Sequence, residues 1–270
     1  MNWIIPIGGK GTRTQALGEF KPFIEILNHK MLVWFFISIK NNILPEDKFY
    51  FVLTKALVEK FSVDVVIEDI FRQLGLRNHF ELLITPDLSG VSAALYSRKS
   101  ILQKSSPVII INPDQYLDFA LPRKIPKKSG YLTIYAEFSN KSGYVDIKDG
   151  KITKFVEKSN FSNLGNAGVF IVSEGRSLVK AIRKQMEAGL TTNGEYFLGT
   201  AFNYLIEDGF EIYPLPVWVK YDLGNIPDIE YFKKTPLAES LSKTLSATAN
   251  NHYLSLQQKS KSAGFSLAFS

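Results

Sequence analysis

A glycine-rich turn followed by two cations could bind phosphate groups. Residues 8–13 read GGKGTR, and Lys21 follows a few residues later, just before Pro22. Glycines expose backbone N–H groups and let a ligand approach closely, and charge-assisted hydrogen bonds from Arg13 and Lys21 to phosphate oxygens are strong. The residue types and their spacing therefore predict a polyphosphate site. An ordinary glycine-rich turn between a strand and a helix is the alternative.

Two common phosphate-binding motifs do not fit this turn. A Walker A loop requires serine or threonine after its Gly-Lys pair, whereas Gly11 follows Lys10. A dinucleotide fingerprint that starts at Gly9 requires a third glycine five residues later, where the chain has Thr14. Neither of these two motifs therefore accounts for the turn.

Two aspartates follow predicted strands and could bind a metal ion. Asp114 comes shortly after the apolar run 107–111, and Asp222 comes shortly after Val219. Ligands of open α/β sheets gather beyond the carboxyl ends of the strands, and Mg²⁺ prefers one or two carboxylates together with phosphate oxygens. Taken alone, however, either aspartate is more typical of a turn or a helix cap.

These motifs resemble those of the sugar-phosphate nucleotidyltransferases, also called nucleoside-diphosphate-sugar pyrophosphorylases. Residues 8–22 are similar to the family's GGxGTR…KP signature, except that Phe20 replaces the proline that usually precedes the lysine. The resemblance extends to about residue 234. It implies a reaction in which an NTP and a sugar 1-phosphate give an NDP-sugar and pyrophosphate, as in NDP-sugar and polysaccharide biosynthesis.

The resemblance also implies a magnesium site. Residues 112–114, Asn-Pro-Asp, are similar to a strand end that normally carries glycine in place of proline. Residues 221–227 are similar to the family's W-x-D-x-G-T-P segment, with Asn225 in place of threonine. Because the family holds Mg²⁺ with these two aspartates, the implied metal ligands are Asp114 and Asp222.

On the nucleotide side, the resemblance assigns Arg13 to the leaving pyrophosphate and Lys21 to the α-phosphate under attack. Residues 89–94, SGVSAA, are similar to the family's turn beneath the nucleobase. The implied nucleotide-binding residues are Gly8, Gly9, Gly11, Thr12 and Gly90.

On the acceptor side, the resemblance assigns Glu157 to sugar hydroxyls and Lys158 to the sugar phosphate. Residues 142–144 match the family's turn less well, because Ser142 replaces a tyrosine. Thr192 and Glu195 also have capping-box spacing, so Glu195 has a structural alternative as a helix cap. The implied substrate-binding residues are Gly143, Glu157, Lys158, Asn166, Gly168 and Glu195.

Composition limits the classes of partner. With 32 basic and 26 acidic residues the net charge is +6, and no run of five basic residues occurs, so anionic small molecules are favoured over nucleic acid. The chain has no cysteine, no evident signal peptide and no apolar run long enough to cross a membrane. We therefore expect a cytoplasmic protein without disulfides or a membrane partner, and homo-oligomerisation is left open.

Alternating strand and helix patterns in the first half predict a Rossmann-like, doubly wound α/β sheet. Asp149-Gly150 between two strand-like runs predicts a hairpin, and hence a mixed sheet with an inserted β-ribbon. Residues 56–74 and 91–103 have helical spacing, and a helix is predicted from Thr192 to about Glu207. We expect a nucleotidyltransferase domain at 1–235 and a tail or docked helix at 236–270.

Three alternatives remain open from sequence. The acceptor could be a phosphorylated alcohol other than a sugar. The protein could be a metal-dependent glycosyltransferase, although such enzymes usually carry an Asp-x-Asp motif and residues 114–116 read Asp-Gln-Tyr. It could also be a catalytically weak NTP-binding homologue.

Overall fold

The computed structural model describes residues 1–8, 20–104, 107–139, 141–159 and 161–247. Its strands are β1 (Asn2–Pro6), β2 (Glu25–Ile26), β3 (His29–Lys30), β4 (Lys48–Thr54), β5 (His79–Thr85), β6 (Val108–Ile111), β7 (Gln115–Asp118), β8 (Ser129–Ala136), β9 (Gly143–Lys148), β10 (Lys151–Glu157), β11 (Leu164–Val172), β12 (Glu211–Pro216) and β13 (Val219–Asp222). Its α-helices are α1 (Met31–Ile39), α2 (Lys55–Phe61), α3 (Val63–Leu74), α4 (Val91–Ser97), α5 (Lys99–Lys104), α6 (Gly175–Glu187), α7 (Leu198–Glu207) and α8 (Ile226–Lys233). Short 3₁₀ turns occur at Lys21–Phe23 and Lys40–Asn42, and residues 236–247 are also helical.

A mixed nine-stranded sheet forms the centre of the molecule, in the order β5-β4-β1-β6-β11-β8-β12-β10-β9. The pairs β5–β4, β4–β1 and β1–β6 are parallel, whereas β11 runs antiparallel to both β6 and β8. The predicted mixed α/β sheet is therefore confirmed. Successive side chains of a strand point to opposite faces, so Trp3 and Ile5 enter one core cluster and Ile4 enters another on the other face.

The predicted hairpin forms at Asp149-Gly150. Both residues have positive φ, 52° and 74°, as the two central positions of a type I′ turn require. Its strands β9 and β10 belong to the edge of the large sheet, where β10 pairs with β12. A separate two-stranded antiparallel ribbon joins β7 to β13.

The two long helices predicted in the first half are each broken into two. Ser62, between α2 and α3, has the left-handed φ of 47°, which cannot continue a right-handed helix. Arg98 separates α4 from α5 with φ −114° and ψ 27°. Apolar spacing alone did not show either break, because apolar residues that pack against the core occur on both sides of each break.

The helix predicted to start at Thr192 is wrong. Thr192 and Glu195 exchange backbone hydrogen bonds of 3.0 and 3.1 Å across Asn193 and Gly194, which both have positive φ. Asn-Gly is a strong hairpin-turn sequence, and here it overrides the capping-box spacing. The helix α7 begins only at Leu198.

Residues 236–247 pack against the body of the protein. Ala238 is fully buried in a cluster with Trp34 and Phe232, and Ser242 donates a 3.2 Å hydrogen bond to the carbonyl of Leu27. Among the described residues, no helix combines the length and the apolar character needed to cross a membrane.

Candidate active site

A cavity of about 440 Å³ opens beyond the carboxyl ends of the parallel strands β1, β4, β5 and β6. This is the edge where open α/β sheets bind their ligands. Five of the candidate residues predicted from sequence line it, namely Gly8, Lys21, Gly90, Asp114 and Glu195. They are far apart in the chain, so the fold brings separate motifs to one place.

Lys21 and Asp114 form the charged pair of this cavity, with 2.6 Å between Lys21 Nζ and Asp114 Oδ2. Lys21 begins a 3₁₀ turn that is fixed by the buried rings of Phe20 and Phe23, which meet edge to face at 5.0 Å. Asp114 follows the fully buried strand β6. Both groups are thus held by rigid elements while their charged ends remain partly exposed.

Gly90 stands where a side chain would not fit. Its φ is +95°, and a Cβ atom there would lie 2.5 Å from the backbone nitrogen of Tyr196. The loop at 196 is tied to this turn by two backbone hydrogen bonds of 3.1 Å, Tyr196 N–H to Ser89 and Ser92 N–H to Tyr196. Glycine is therefore needed for this close approach of two backbones beside the cavity.

Asp222 does not line the cavity, but the ribbon of β7 and β13 brings its backbone next to that of Asp114. It pairs with Gln115 in the ribbon, and the next residue, Leu223, donates a 2.9 Å hydrogen bond to the carbonyl of Asp114. Its carboxylate forms an ion pair with Lys220, with 2.5 Å between Oδ2 and Nζ. The two candidate metal ligands therefore come from adjacent backbone positions, and each carboxylate faces a lysine.

The two carboxylates are of the type that binds a hard divalent cation together with a phosphate ligand, and the metal site stays a prediction. In the described part of the chain, no three histidine or carboxylate side chains form a group that could hold a metal by themselves. Mg²⁺ commonly binds through one or two carboxylates plus substrate phosphates. Asp114 and Asp222 could supply the protein's share of such a site.

Glu157, Lys158 and Glu195 lie close together next to the cavity. Burial raises the pKa of Glu157 from its usual 4.5 to about 7; the negative charge of Glu195 adds to the rise, and the positive charge of Lys158 opposes it. The Lys158 ammonium lies 4.4 Å from the ring centroid of Phe197, which lines the cavity. At neutral pH Glu157 can therefore be present as a carboxylic acid.

Gly143 leaves space for the side chains of Phe155 and Glu157. A Cβ atom at Gly143 would overlap the ring of Phe155 and would lie 2.9 Å from Glu157 Oε2. The glycine predicted from the weaker motif match thus lies against the predicted acceptor-binding glutamate.

Asn166 and Gly168 build an irregularity in β11. The Asn166 amide donates 2.9 Å to the carbonyl of Thr133, and its oxygen accepts the backbone N–H of Gly168 at 2.9 Å. Gly168 has φ +73°, and the register against β8 shifts in this stretch. In this structure Asn166 hydrogen-bonds to backbone groups and Gly168 supplies a positive φ. Neither residue lines the cavity.

Some predicted residues lie outside the described part of the chain. These are Gly9, Gly11, Thr12 and Arg13, and their assignment stays a prediction.

The sequence analysis missed Lys220 and a polar cluster around Tyr135. Lys220 is two residues from Asp222, so alternation along a strand was a signal that both share one face. Tyr135 donates to the carboxylate of Glu137, which also accepts the backbone N–H groups of Phe138 and Ser139. Burial alone would raise the pKa of Glu137, but these hydrogen bonds hold it at about 2. No sequence motif marked this cluster.

Solved structures of nucleotidyltransferases share this arrangement of strands and helices. A nucleoside-diphosphate-sugar pyrophosphorylase from Vibrio cholerae RC9 superposes with a TM-score of 0.72 at 17% identity, over 86% of this chain and 100% of its own. The inositol-1-phosphate CTP transferase from T. maritima gives 0.66 at 13% identity, over 90% and 95%. A UTP-bound UGPase from Acinetobacter baumannii gives 0.63 at 12% identity, over 90% and 98%.

The chain has the fold of these nucleotidyltransferases. The structural similarity agrees with the family resemblance that the motifs indicate. No protein-family model matches the sequence, and no curated protein sequence matches it.

Proposed function

We propose that the protein is a magnesium-dependent nucleotidyltransferase that condenses an NTP with a sugar 1-phosphate, releasing pyrophosphate. The observation that carries the proposal is the Lys21–Asp114 pair, 2.6 Å apart, in a cavity of about 440 Å³. A cation and a carboxylate at the carboxyl edge of a parallel sheet suit a phosphate bound together with a metal ion.

In this mechanism the acceptor phosphate is already an anion, so the reaction needs no general base. Its oxygen attacks the α-phosphorus in line with the departing pyrophosphate. Lys21 offsets negative charge at the α-phosphate, and Arg13 is expected to offset the charge of the leaving group. A magnesium ion held by Asp114 and Asp222 would add further charge neutralisation at the phosphates.

The acceptor would bind where Glu157 and Lys158 meet the cavity. The Lys158 ammonium, beside Phe197, could pair with the acceptor phosphate. A neutral Glu157 carboxyl can both donate and accept a hydrogen bond, which suits a sugar hydroxyl. The similar inositol-1-phosphate CTP transferase supports a cyclic polyol phosphate as the second candidate acceptor.

A substrate panel tests this function. Four or five NTPs are combined with common sugar 1-phosphates and with inositol 1-phosphate in the presence of Mg²⁺, and pyrophosphate release is measured. We expect release only when both an NTP and an acceptor phosphate are present. In a parallel reaction with an NDP-sugar alone, release of sugar and NDP without pyrophosphate would instead indicate a glycosyltransferase. NTP binding without turnover across the panel would indicate a binding protein.

A further inference from the structure

Asp222 has a lysine partner on its own strand. Lys220 and Asp222 are separated by one residue of β13, so their side chains share a face, and the ion pair measures 2.5 Å. The opposite face of the strand carries Tyr221, whose ring packs against Phe232. The pair is therefore set by the strand geometry.

Lys220 is more buried than Lys21. Its side chain is 12% exposed, compared with 22% for Lys21. Its ammonium also lies 4.5 Å from the ring centroid of Tyr135, within the range of a cation–π interaction.

The ring of Tyr135 is fixed in turn. Its hydroxyl donates to the Glu137 carboxylate and lies 2.8 Å from Ser142 Oγ. The carboxylate is anchored by two backbone N–H groups, at 2.9 and 2.8 Å. The positive charge of Lys220 therefore has a defined place beside Asp222, whereas Lys21 borders the open cavity.

We propose that Lys220 is a positioning residue that holds Asp222 in an ion pair and thereby weakens the binding of a free divalent cation to the nucleotide-free protein. A fixed positive charge a few ångströms from a carboxylate opposes a second cation there. The anionic phosphates of an NTP would offset this repulsion, so metal binding would depend on the nucleotide. The inference rests on the proposed function only in taking Asp222 as a metal ligand.

The test measures Mn²⁺ binding to the nucleotide-free full chain by electron paramagnetic resonance. Lys220→Met keeps an unbranched side chain of similar length without the charge, and it should bind Mn²⁺ at least ~10-fold more tightly than the wild type. Lys220→Arg keeps the charge and should stay within about twofold of it. Lys233→Met removes a lysine that pairs with Glu230 at the surface, and it should change nothing.

A double variant tests whether the gain in Mn²⁺ affinity depends on Asp222. Asp222→Asn combined with Lys220→Met should lose the gain in affinity, because the two residues act as a unit. Unchanged or weaker Mn²⁺ binding in Lys220→Met, or a gain that persists in the double variant, would overturn the inference. Should Lys220→Met fail to fold, as judged by circular dichroism, Lys220→Gln replaces it and is held to the same expectations.

This readout is independent of turnover. Pyrophosphate release by the wild type with no gain in Lys220→Met would contradict the role of Lys220 and leave the proposed function standing. The expected gain without any pyrophosphate release would support the role of Lys220 and overturn the proposed function.

Discussion

The proposed nucleotide side and the proposed acceptor side of the candidate site are built differently. On the nucleotide side, Gly8, Lys21, Gly90 and Asp114 line one cavity at the ends of parallel strands. On the acceptor side, the amide of Asn166 is bonded to backbone groups, and Glu157 is desolvated next to a second carboxylate. The first region is open to a ligand, whereas of the second only Glu195 lines the cavity.

This difference follows from how each side is positioned. Strand ends and glycine turns place the nucleotide side, and these are fixed by backbone geometry. Side chains on or next to strands β10 and β11 form the proposed acceptor side, where Asn166 is hydrogen-bonded within the protein and Lys158 lies over the ring of Phe197. Variants that affect only one side test this contrast.

The largest effect is expected at the Lys21–Asp114 pair. Lys21→Ala and Asp114→Asn should each lower kcat for pyrophosphate release by ~10²-fold or more, because they remove electrostatic stabilisation of the transition state. Lys55→Ala, at an exposed surface pair with Glu59, is the matched control and should keep full activity. Near-normal turnover in both cavity variants, with an intact fold by circular dichroism, would contradict the assignment.

Gly90→Ala should lower the free energy of unfolding by about 3 kcal/mol, since it adds a clash with the Tyr196 backbone to a strained φ. Gly75 lies in the milder left-handed helical region, with φ 69° and ψ 23°, and no atom lies within 4 Å of an added Cβ, so Gly75→Ala should cost only about 1 kcal/mol. Urea denaturation measures both values. Equal losses in the two variants would show that the backbone contact at Gly90 is not tight.

Asn166→Ala tests whether the Asn166 amide stabilises the protein backbone or binds the substrate. It should lower the free energy of unfolding by about 2 kcal/mol, because the buried groups of Thr133 and Gly168 lose their partner. Asn163→Ala, at an exposed position of the same segment, should change stability little. A raised KM for the acceptor without loss of stability would instead assign Asn166 to substrate binding.

Glu157→Gln should change how stability depends on pH. The folded protein raises the pKa of Glu157 from 4.5 to about 7, so the wild type loses stability as the pH rises through this window, and the loss is complete above about 7. Glu157→Gln avoids this loss and should exceed the wild type by about 1–2 kcal/mol at pH 8 but not at pH 4. Urea unfolding at the two pH values measures the difference. The same difference in the free energy of unfolding between variant and wild type at both pH values would contradict the raised pKa.

The sequence predicted the parallel half of the fold well, because buried strands such as β1 and β6 are continuous apolar runs ending at glycine or Asn-Pro-Asp. It failed at residues 192–195, where a turn of Asn-Gly has the spacing of a capping box. It also could not show that Asn166 is bonded within its own sheet, since that partner lies on β8. Local motifs predict what a strand end can bind. They do not show which polar side chains are already hydrogen-bonded to distant parts of the same protein.

Transfer of a nucleotidyl group, with the α-phosphate of the NTP, is proposed to occur at the cavity of Lys21 and Asp114. It is tested most directly by following labelled phosphate, with the NTP labelled at the α or the γ position in separate reactions containing the acceptor that is active in the substrate panel. We predict that the α label appears in an NDP-linked product and the γ label in pyrophosphate, and that Asp114→Asn lowers both yields together. Release of the γ label as inorganic phosphate, with the α label left in NDP, would contradict the account.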